Sequence, residues 1–191
     1  TDVQTILSGV TYTVSSSTNS FTENGFNNWK AYDKSSDIGW ATPAIFASDT
    51  TSYSGSESLG LFDGEWTKLH MTTAAVIASV SIVGRSGQDP QAPDSWRVLA
   101  SNDDSDWTSL HHSTNAMTSN SGNGYTETFT NTTAYLYYAI IVDSVKGPDT
   151  PYCSISEITY YGPSTSLDDN AGTTTMMGVG AGGNINSVDH N

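Results

Sequence analysis

The side chains that most often carry catalysis are few in this sequence, or they occur without a catalytic spacing. The four histidines include one adjacent pair, His111-His112, at the end of a predicted strand, and the single cysteine is Cys153. Adjacent strand residues point to opposite faces, so the histidine pair is a poor metal site. A single thiol supplies neither an internal disulfide nor a cysteine-based metal site. The sequence contains no Gly-x-Ser-x-Gly elbow and no phosphate-binding glycine loop. We therefore expect a protein that is not an enzyme.

One motif for covalent modification is present. Asn131-Thr132-Thr133 has the acceptor pattern for an N-linked glycan, which applies to a chain secreted by a eukaryotic cell or carried by its virus. Such a short pattern also arises by chance in a chain with 28 serines and 26 threonines. A glycoprotein and an unmodified Asn131 therefore both remain open.

The charge balance excludes several classes of partner. The chain has 20 acidic and 6 basic side chains, which gives a formal net charge of −14. Nucleic-acid binding depends on Lys and Arg that neutralise phosphates, and attraction to an anionic membrane needs the same cations. No segment approaches the ~18 consecutive apolar residues of a membrane-spanning helix. We expect no nucleic-acid partner and no membrane insertion.

The pattern of apolar residues predicts an all-β protein. Threonine is common in strands, and serine and asparagine are common in turns. Short alternating or apolar segments bounded by turn residues predict eight strands: Val10–Val14, Trp66–Met71, Ile77–Gly84, Trp96–Ser101, Thr108–His111, Tyr125–Thr130, Tyr135–Val142 and Ser154–Tyr161. Tyr137–Val142 is apolar almost throughout, which predicts a central strand covered on both faces. A short helical turn is expected at Asn28–Tyr32. Eight short strands with long polar loops indicate a sandwich or jelly roll.

The composition changes after Gly162. Residues 163–191 contain no aromatic side chain and include the glycine-rich run Gly178–Gly183. We predict one domain over residues 1–162, followed by an irregular tail. The tail is either a flexible linker or, because it contains apolar residues such as Met176 and Ile185, an arm that docks onto a neighbouring subunit.

Several separated segments resemble one family, the discoidin or coagulation factor 5/8 type C domains, and its relatives the family 32 carbohydrate-binding modules. Lys30–Trp40 resembles the early "A-x-D…W" loop, and Ile77–Arg85 a strand that ends in Gly-Arg. Trp96–Leu110 is similar to the signature W-x-V-x-x-S-N-D-G-x-x-W-x-x-L. Tyr137–Val142 resembles the next strand, and Ile155–Gly162 the terminal "I-S-E-I-x-x-x-G". The resemblance implies an eight-stranded antiparallel jelly-roll sandwich of the galactose-binding-like type. The cysteine pair of animal discoidin domains is absent, which favours a microbial or viral branch.

The resemblance implies a structural Ca²⁺ ion under the loop that carries the first motif. Ca²⁺ takes six to eight oxygen ligands from carboxylates and backbone carbonyls. The matching positions supply the carboxylates of Asp33, Asp37 and Glu157. They also supply the backbone carbonyls of Lys30 and Ile38. The alternative is that Asp33 caps a turn while Glu157 pairs with Lys30 or Lys34.

The resemblance also implies a sugar site on the loops at one end of the sandwich. Sugar recognition uses an aromatic face and planar polar groups. The matching positions are Arg85, Gln88 or Asp89 for the hydroxyl groups, Tyr152 as the stacking platform, and Trp40 on a neighbouring loop.

Alternatives exist for each of these residues. Arg85 could form an ion pair with Asp89 or Asp94. The tryptophans Trp40, Trp66, Trp96 and Trp107 could be packing residues instead of ligand platforms.

Two functions are compatible with these observations. The first is a non-catalytic recognition or adhesion module that binds glycans or glycoproteins at an extracellular, cell-surface or virion surface, stabilised by Ca²⁺. The second is a structural building block of a virion, fibre or cell-surface assembly without a sugar site, with the 163–191 tail in contact with neighbouring subunits. Phospholipid binding is disfavoured by the small number of basic residues.

Overall fold

Antiparallel β-strands make up the protein fold. The computed structural model describes residues 2–6, 10–18, 24–35, 39–47, 51–114, 124–147 and 151–163. Within these ranges it contains strands and short 3-10 helices, and no helix there is long and apolar enough to cross a bilayer.

The larger of two main sheets has six strands in the order β1-β2-β6-β11-β8-β9, and every neighbouring pair is antiparallel. Its strands are β1 (Asp2–Ile6), β2 (Val10–Ser16), β6 (Glu65–Ala75), β8 (Pro93–Ser101), β9 (Thr108–Ser113) and β11 (Tyr135–Val145).

The second sheet has four strands in the order β10-β7-β12-β3 and is also antiparallel. Its strands are β3 (Trp40–Ala41), β7 (Ser79–Gly84), β10 (Tyr125–Thr128) and β12 (Ser154–Tyr161). A separate hairpin is formed by β4 (Ser58–Leu59) and β5 (Phe62–Asp63), and the 3-10 helices Asn28–Tyr32 and Asp89–Gln91 lie in loops.

The eight strands expected from the sequence are all present, and the helical turn expected at Asn28–Tyr32 is a 3-10 helix with those bounds. The all-β sandwich prediction is therefore confirmed. The described residues contain four further strands, β1, β3, β4 and β5. Three of these have two residues each, which is too short for a periodic pattern. The expected tail beyond residue 163 lies outside the described residues, so that boundary stays a prediction.

The main hydrophobic core lies between the two sheets. Alternate residues of the larger sheet, such as Val14, Val98 and Ile140, pack in one cluster with Ile82 and Ile158 of the smaller sheet. This packing follows from the two-residue side-chain period of a strand, which sends every second residue toward the facing sheet.

A smaller cluster covers the outer face of the six-stranded sheet. Leu59 of the β4–β5 hairpin packs there with Leu99, Ala139 and Ile141, and Trp66 and Trp107 flank the cluster. Strand β11 therefore has apolar neighbours on both faces, as its nearly continuous apolar sequence predicted. Trp66 and Trp107 serve here as packing residues.

A buried carboxylate fixes the start of the loop that follows β2. Glu65, the first residue of β6, is fully buried, and its Oε2 accepts hydrogen bonds from the hydroxyls of Ser17, at 2.7 Å, and Thr18. The Thr18 carbonyl in turn accepts a bond from the Trp40 indole at 2.9 Å. Burial raises the pKa of Glu65, although the two hydroxyl bonds lower it in part.

A glycine allows β3 to lie against β12. A Cβ placed on Gly39 would lie 1.8 Å from the carbonyl oxygen of Ile155, far inside van der Waals contact. The main chain before β3 therefore approaches β12 at a distance that only glycine permits.

We expect Gly39→Ala to lower the free energy of unfolding by about 3 kcal/mol, because the added methyl group forces β3 away from β12. The matched control is Gly162→Ala, whose added Cβ would meet the Val76 carbonyl at an ordinary 3.6 Å. Urea denaturation of both variants measures the difference. Equal stability of the two variants would contradict this account of Gly39.

We expect Glu65→Gln to change how stability depends on pH. Below the unfolded pKa of about 4.3 both states of the wild type hold the proton, so the stability is intact. Above this pH the Glu65 carboxyl of the unfolded chain releases its proton, while the folded chain keeps it because the folded pKa is raised. The free energy of unfolding of the wild type then falls by up to about 1.4 kcal/mol per pH unit, until the pH passes the folded pKa. Glutamine cannot ionise, so the variant gains stability relative to the wild type as pH rises. Urea denaturation between pH 4 and pH 8 tests this, and a constant difference across that range would count against it.

Candidate functional site

Three strand ends meet at one end of the four-stranded sheet. In the β7–β12 pair Gly84 lies opposite Ile155, and in the β12–β3 pair Trp40 lies opposite the same residue. Because the strands are antiparallel, the chain leaving β7, the chain entering β12 and the chain leaving β3 all emerge at this end. This register places Arg85 and Tyr152 close to each other.

A pocket of about 330 Å³ lies at these strand ends. Its lining residues come from four segments: Asn24, Phe26, Ala41, Arg85, Gln91 and Tyr152. Of the residues predicted for a sugar site, Arg85 and Tyr152 are thus brought together. Asn24 and Phe26 come from the loop before the 3-10 helix Asn28–Tyr32, and Gln91 ends the second 3-10 helix.

The guanidinium of Arg85 packs on an aromatic ring. Its Cζ lies 4.7 Å from the centre of the Phe26 ring, within the range of a cation–π contact. Among the described residues Arg85 forms no ion pair, and Asp89 pairs with Lys146 instead. The alternative that Arg85 is neutralised by Asp89 or Asp94 is therefore not observed in this part of the chain.

Gln91 takes the position in the pocket that was predicted for Gln88 or Asp89. The Gln91 Oε1 accepts a hydrogen bond from the Ser154 hydroxyl at 2.9 Å, and its Nε2 donates to Gln88 Oε1 at 2.9 Å. These bonds orient the Gln91 carboxamide and leave its second N–H hydrogen for a ligand. Gln88 supports the site through Gln91, and Asp89 is held by Lys146.

The structure corrects the assignment of Trp40 to the ligand site. Trp40 has 0% of its surface exposed, and its indole nitrogen donates to the Thr18 carbonyl. It belongs to the core cluster between the sheets, where a ligand has no access. Phe26, which is 8% exposed, is the aromatic residue that accompanies Tyr152 in the pocket.

Two of the predicted calcium ligands lie near each other at β12. Glu157 is 8% exposed, and its Oε2 accepts a hydrogen bond at 2.9 Å from the backbone N–H of Lys34 in the loop that carries Asp33. Burial raises the pKa of Glu157 to about 8, with a further contribution from the Asp33 carboxylate. Lys30 lies in the 3-10 helix Asn28–Tyr32, directly before this loop. Asp37 and Ile38 lie outside the described residues.

The alternative roles of these acidic residues are observed in part. Asp33 does cap a turn, since its Oδ1 accepts a hydrogen bond from the Ser35 N–H at 2.8 Å. Glu157 forms no ion pair with Lys30 or Lys34 in the described part of the chain. The Glu157 carboxylate is thus buried without a cationic side chain in salt-bridge contact.

Neither the histidine pair nor the cysteine is among the residues that line this pocket. His111 contacts Glu127 of β10 and thereby links the edges of the two sheets, and the next residue, His112, points outward. Cys153 is fully buried, and burial raises the pKa of its thiol. Within the described ranges no three His, Cys, Asp or Glu side chains form a group that could hold a metal.

The Asn131 side chain is part of the hydrogen-bonded structure. Its Nδ2, the atom that would carry a glycan, donates to the carbonyls of Ile77 and Thr133, both at 3.0 Å. A glycan replaces one of the two hydrogens on this nitrogen, so it would remove one of these bonds. The Asn131 side chain thus forms hydrogen bonds within the fold, which the sequence motif alone did not indicate.

No protein-family model matches this sequence, and no curated protein matches it. The fold is similar to solved carbohydrate-binding modules. A pectin-binding carbohydrate-binding module has a TM-score of 0.55 and 18% identity, over 87% of this chain and 96% of that one. The family 32 module of C. perfringens NanJ in complex with galactose has a TM-score of 0.55 and 17% identity, over 78% of this chain and 92% of that one.

A third similar structure is the family 32 module of AlyQ in complex with 4,5-unsaturated mannuronic acid. It has a TM-score of 0.55 and 14% identity, over 79% of this chain and 95% of that one. At these identities the likeness establishes the galactose-binding-like sandwich fold.

Proposed function

We propose that this chain is a non-catalytic module that binds a carbohydrate in the pocket between Arg85 and Tyr152. The observation that carries the proposal is the meeting of an arginine, two aromatic residues and two carboxamides in one pocket at the strand ends. Aromatic rings stack on the C–H face of a sugar, while Arg85, Asn24 and Gln91 supply hydrogen bonds to its hydroxyls.

The size of the pocket indicates a short ligand. Small-molecule sites have volumes of about 300–1,000 Å³, and this pocket, at about 330 Å³, lies near the lower limit. That volume suits one sugar residue, with any further residues of a glycan outside. The carbohydrate-binding modules of similar fold, which bind pectin, galactose and a mannuronic acid, support a sugar as the ligand class.

We further propose a structural Ca²⁺ ion held by Asp33 and Glu157, with Asp37 and the backbone carbonyls of Lys30 and Ile38 as additional ligands. The donor chemistry fits, because Glu157 is a buried carboxylate that faces the charge of Asp33, and no cationic side chain of the described residues is in salt-bridge contact with it. Carboxylate and carbonyl oxygens are the ligands that Ca²⁺ prefers. The ion would neutralise the two carboxylates and fix the loop before β3.

A carbohydrate-binding module of this kind acts where glycans are displayed, so we assign the protein to an extracellular, cell-surface or virion surface. The alternative, a structural subunit that docks through its tail, depends on residues 164–191, which lie outside the described residues. The pocket at the strand ends favours the binding module.

We expect Tyr152→Ala to weaken galactose binding about tenfold or more, because it removes the stacking platform. The matched control is Tyr161→Ala, the same substitution at the opposite end of β12, where the tyrosine is 41% exposed. A glycan array first shows that sugars bind. Isothermal titration calorimetry then measures the galactose affinity of both variants. Equal effects of the two substitutions would contradict the proposed pocket.

We expect Ca²⁺ to raise the melting temperature of the wild type, with about 2.7 kcal/mol of added stability at 100 times its Kd. Asp33→Asn and Glu157→Gln each reduce this increase, although the new side chains keep an acceptor for the N–H groups of Ser35 and Lys34. Asp63→Asn, at an exposed residue of β5, is the control and retains the increase. A melting temperature that does not respond to Ca²⁺, or that responds equally in all variants, would exclude this ion site.

A further inference from the structure

We infer that the sugar bound by this pocket is acidic, a uronic acid whose carboxylate binds Arg85. The inference depends on the proposed function, since it names the class of sugar that the same pocket would select. Its basis is the charge of the pocket and the contacts of its arginine.

Neither arginine of the described chain, Arg85 or Arg97, forms an ion pair with an acidic side chain, and of the two only Arg85 lines the pocket. Among the described residues Lys68 pairs with Asp104 and Lys146 pairs with Asp89. Arg85 forms no such pair in these ranges although it is half-buried at the pocket. Its positive charge is therefore not matched by a carboxylate of the described structure.

The acidic residue closest in sequence to the pocket arginine is held elsewhere. Asp89 begins the 3-10 helix that ends in Gln91, and its carboxylate contacts the Lys146 ammonium. Asp89 thus pairs with Lys146, and no ion pair joins it to Arg85. The other polar side chains of the lining, Asn24, Gln91 and Tyr152, carry no formal charge at neutral pH. The described lining is thus positive in net charge.

The aromatic partner of Arg85 is the Phe26 ring, which supplies no carboxylate to the guanidinium. The guanidinium carbon lies 4.7 Å from the centre of the ring, over its π face. The N–H donors of a guanidinium lie along its edge, in a fork that matches the two oxygens of a carboxylate. A carboxylate on C5 of a hexose ring can bind this fork while the ring stacks on an aromatic residue.

The energy of the contact distinguishes acidic from neutral sugars. A hydrogen bond between charged groups is about twice as strong as one between neutral groups, so we expect at least about tenfold tighter binding of the uronate. The net charge of −14 repels a long polyanion. The ligand is therefore expected to present a single uronate, at a chain end or within a mostly neutral glycan.

The test compares three uronates with their neutral parent hexoses by calorimetry at one ionic strength. The probes are D-galacturonate with galactose, D-glucuronate with glucose, and D-mannuronate with mannose. The methyl ester of the uronate that binds most tightly is the further probe. We expect at least one uronate to bind about tenfold or more tightly than both its parent hexose and its methyl ester.

Substitutions then assign the preference to Arg85. Arg85→Gln is expected to abolish the preference, and Arg85→Lys to keep part of it. The matched control is Arg97→Gln, which removes the same charge from an arginine that lies over the Phe62 ring at 5.3 Å, in β8 and away from the pocket lining. This control keeps the preference.

The outcomes separate this inference from the proposed function. If neutral hexoses bind as tightly as the uronates, and Tyr152→Ala still weakens them, the pocket binds sugars and the acidic preference is wrong. If the preference survives Arg85→Gln, the assignment to Arg85 is wrong. If none of the probes and no glycan on an array binds, both the proposed function and this inference fail.

Discussion

The register of three antiparallel strands is the constraint on which the site depends. The pairing of β12 with β7 on one side and β3 on the other sets Gly84, Ile155 and Trp40 in one row across the sheet. A shift of one residue in either pair would reverse the faces of the side chains and move the strand ends apart. Gly39 allows the β3 backbone to approach β12 closely enough for this register.

Two buried carboxylates fix the loops on either side of these strands. Glu65 binds the hydroxyls of Ser17 and Thr18, where the chain leaves β2 toward the pocket segment. Glu157 accepts the N–H of Lys34, where the chain turns toward β3. Burying a carboxylate is unfavourable unless it is hydrogen-bonded, and both acids have such partners. These two glutamates therefore stabilise loops from inside the fold.

The sequence was sufficient to predict the strands but not to predict most of the residues that line the pocket. The alternation in segments such as Tyr125–Thr128 and the apolar run of β11 predict strands, because the side-chain period of a strand is visible in the sequence. Arg85 and Tyr152 were found through a family resemblance in which each adjoins a strand. Phe26 and Gln91 lie in irregular segments, where no periodicity indicates the direction of a side chain. Trp40 was misassigned because an aromatic identity does not show whether the ring faces the core or the solvent.

The similar structures and the pocket residues support different parts of this account. The likeness to carbohydrate-binding modules establishes the sandwich, whereas the case for a ligand at this end of it depends on the residues of the pocket. The sandwich supplies rigid strand ends, and the short segments attached to them supply the chemistry. Such a division allows one fold to bind different ligands through changes at a few loop positions.

Backbone amide NMR shifts during titration with galactose and galacturonate test the central claim most directly. The account predicts that the largest shift changes fall on the segments around Phe26, Arg85, Gln91 and Tyr152, at one end of the four-stranded sheet. Largest changes at the opposite end of β12, or on the outer face of the six-stranded sheet, would contradict it.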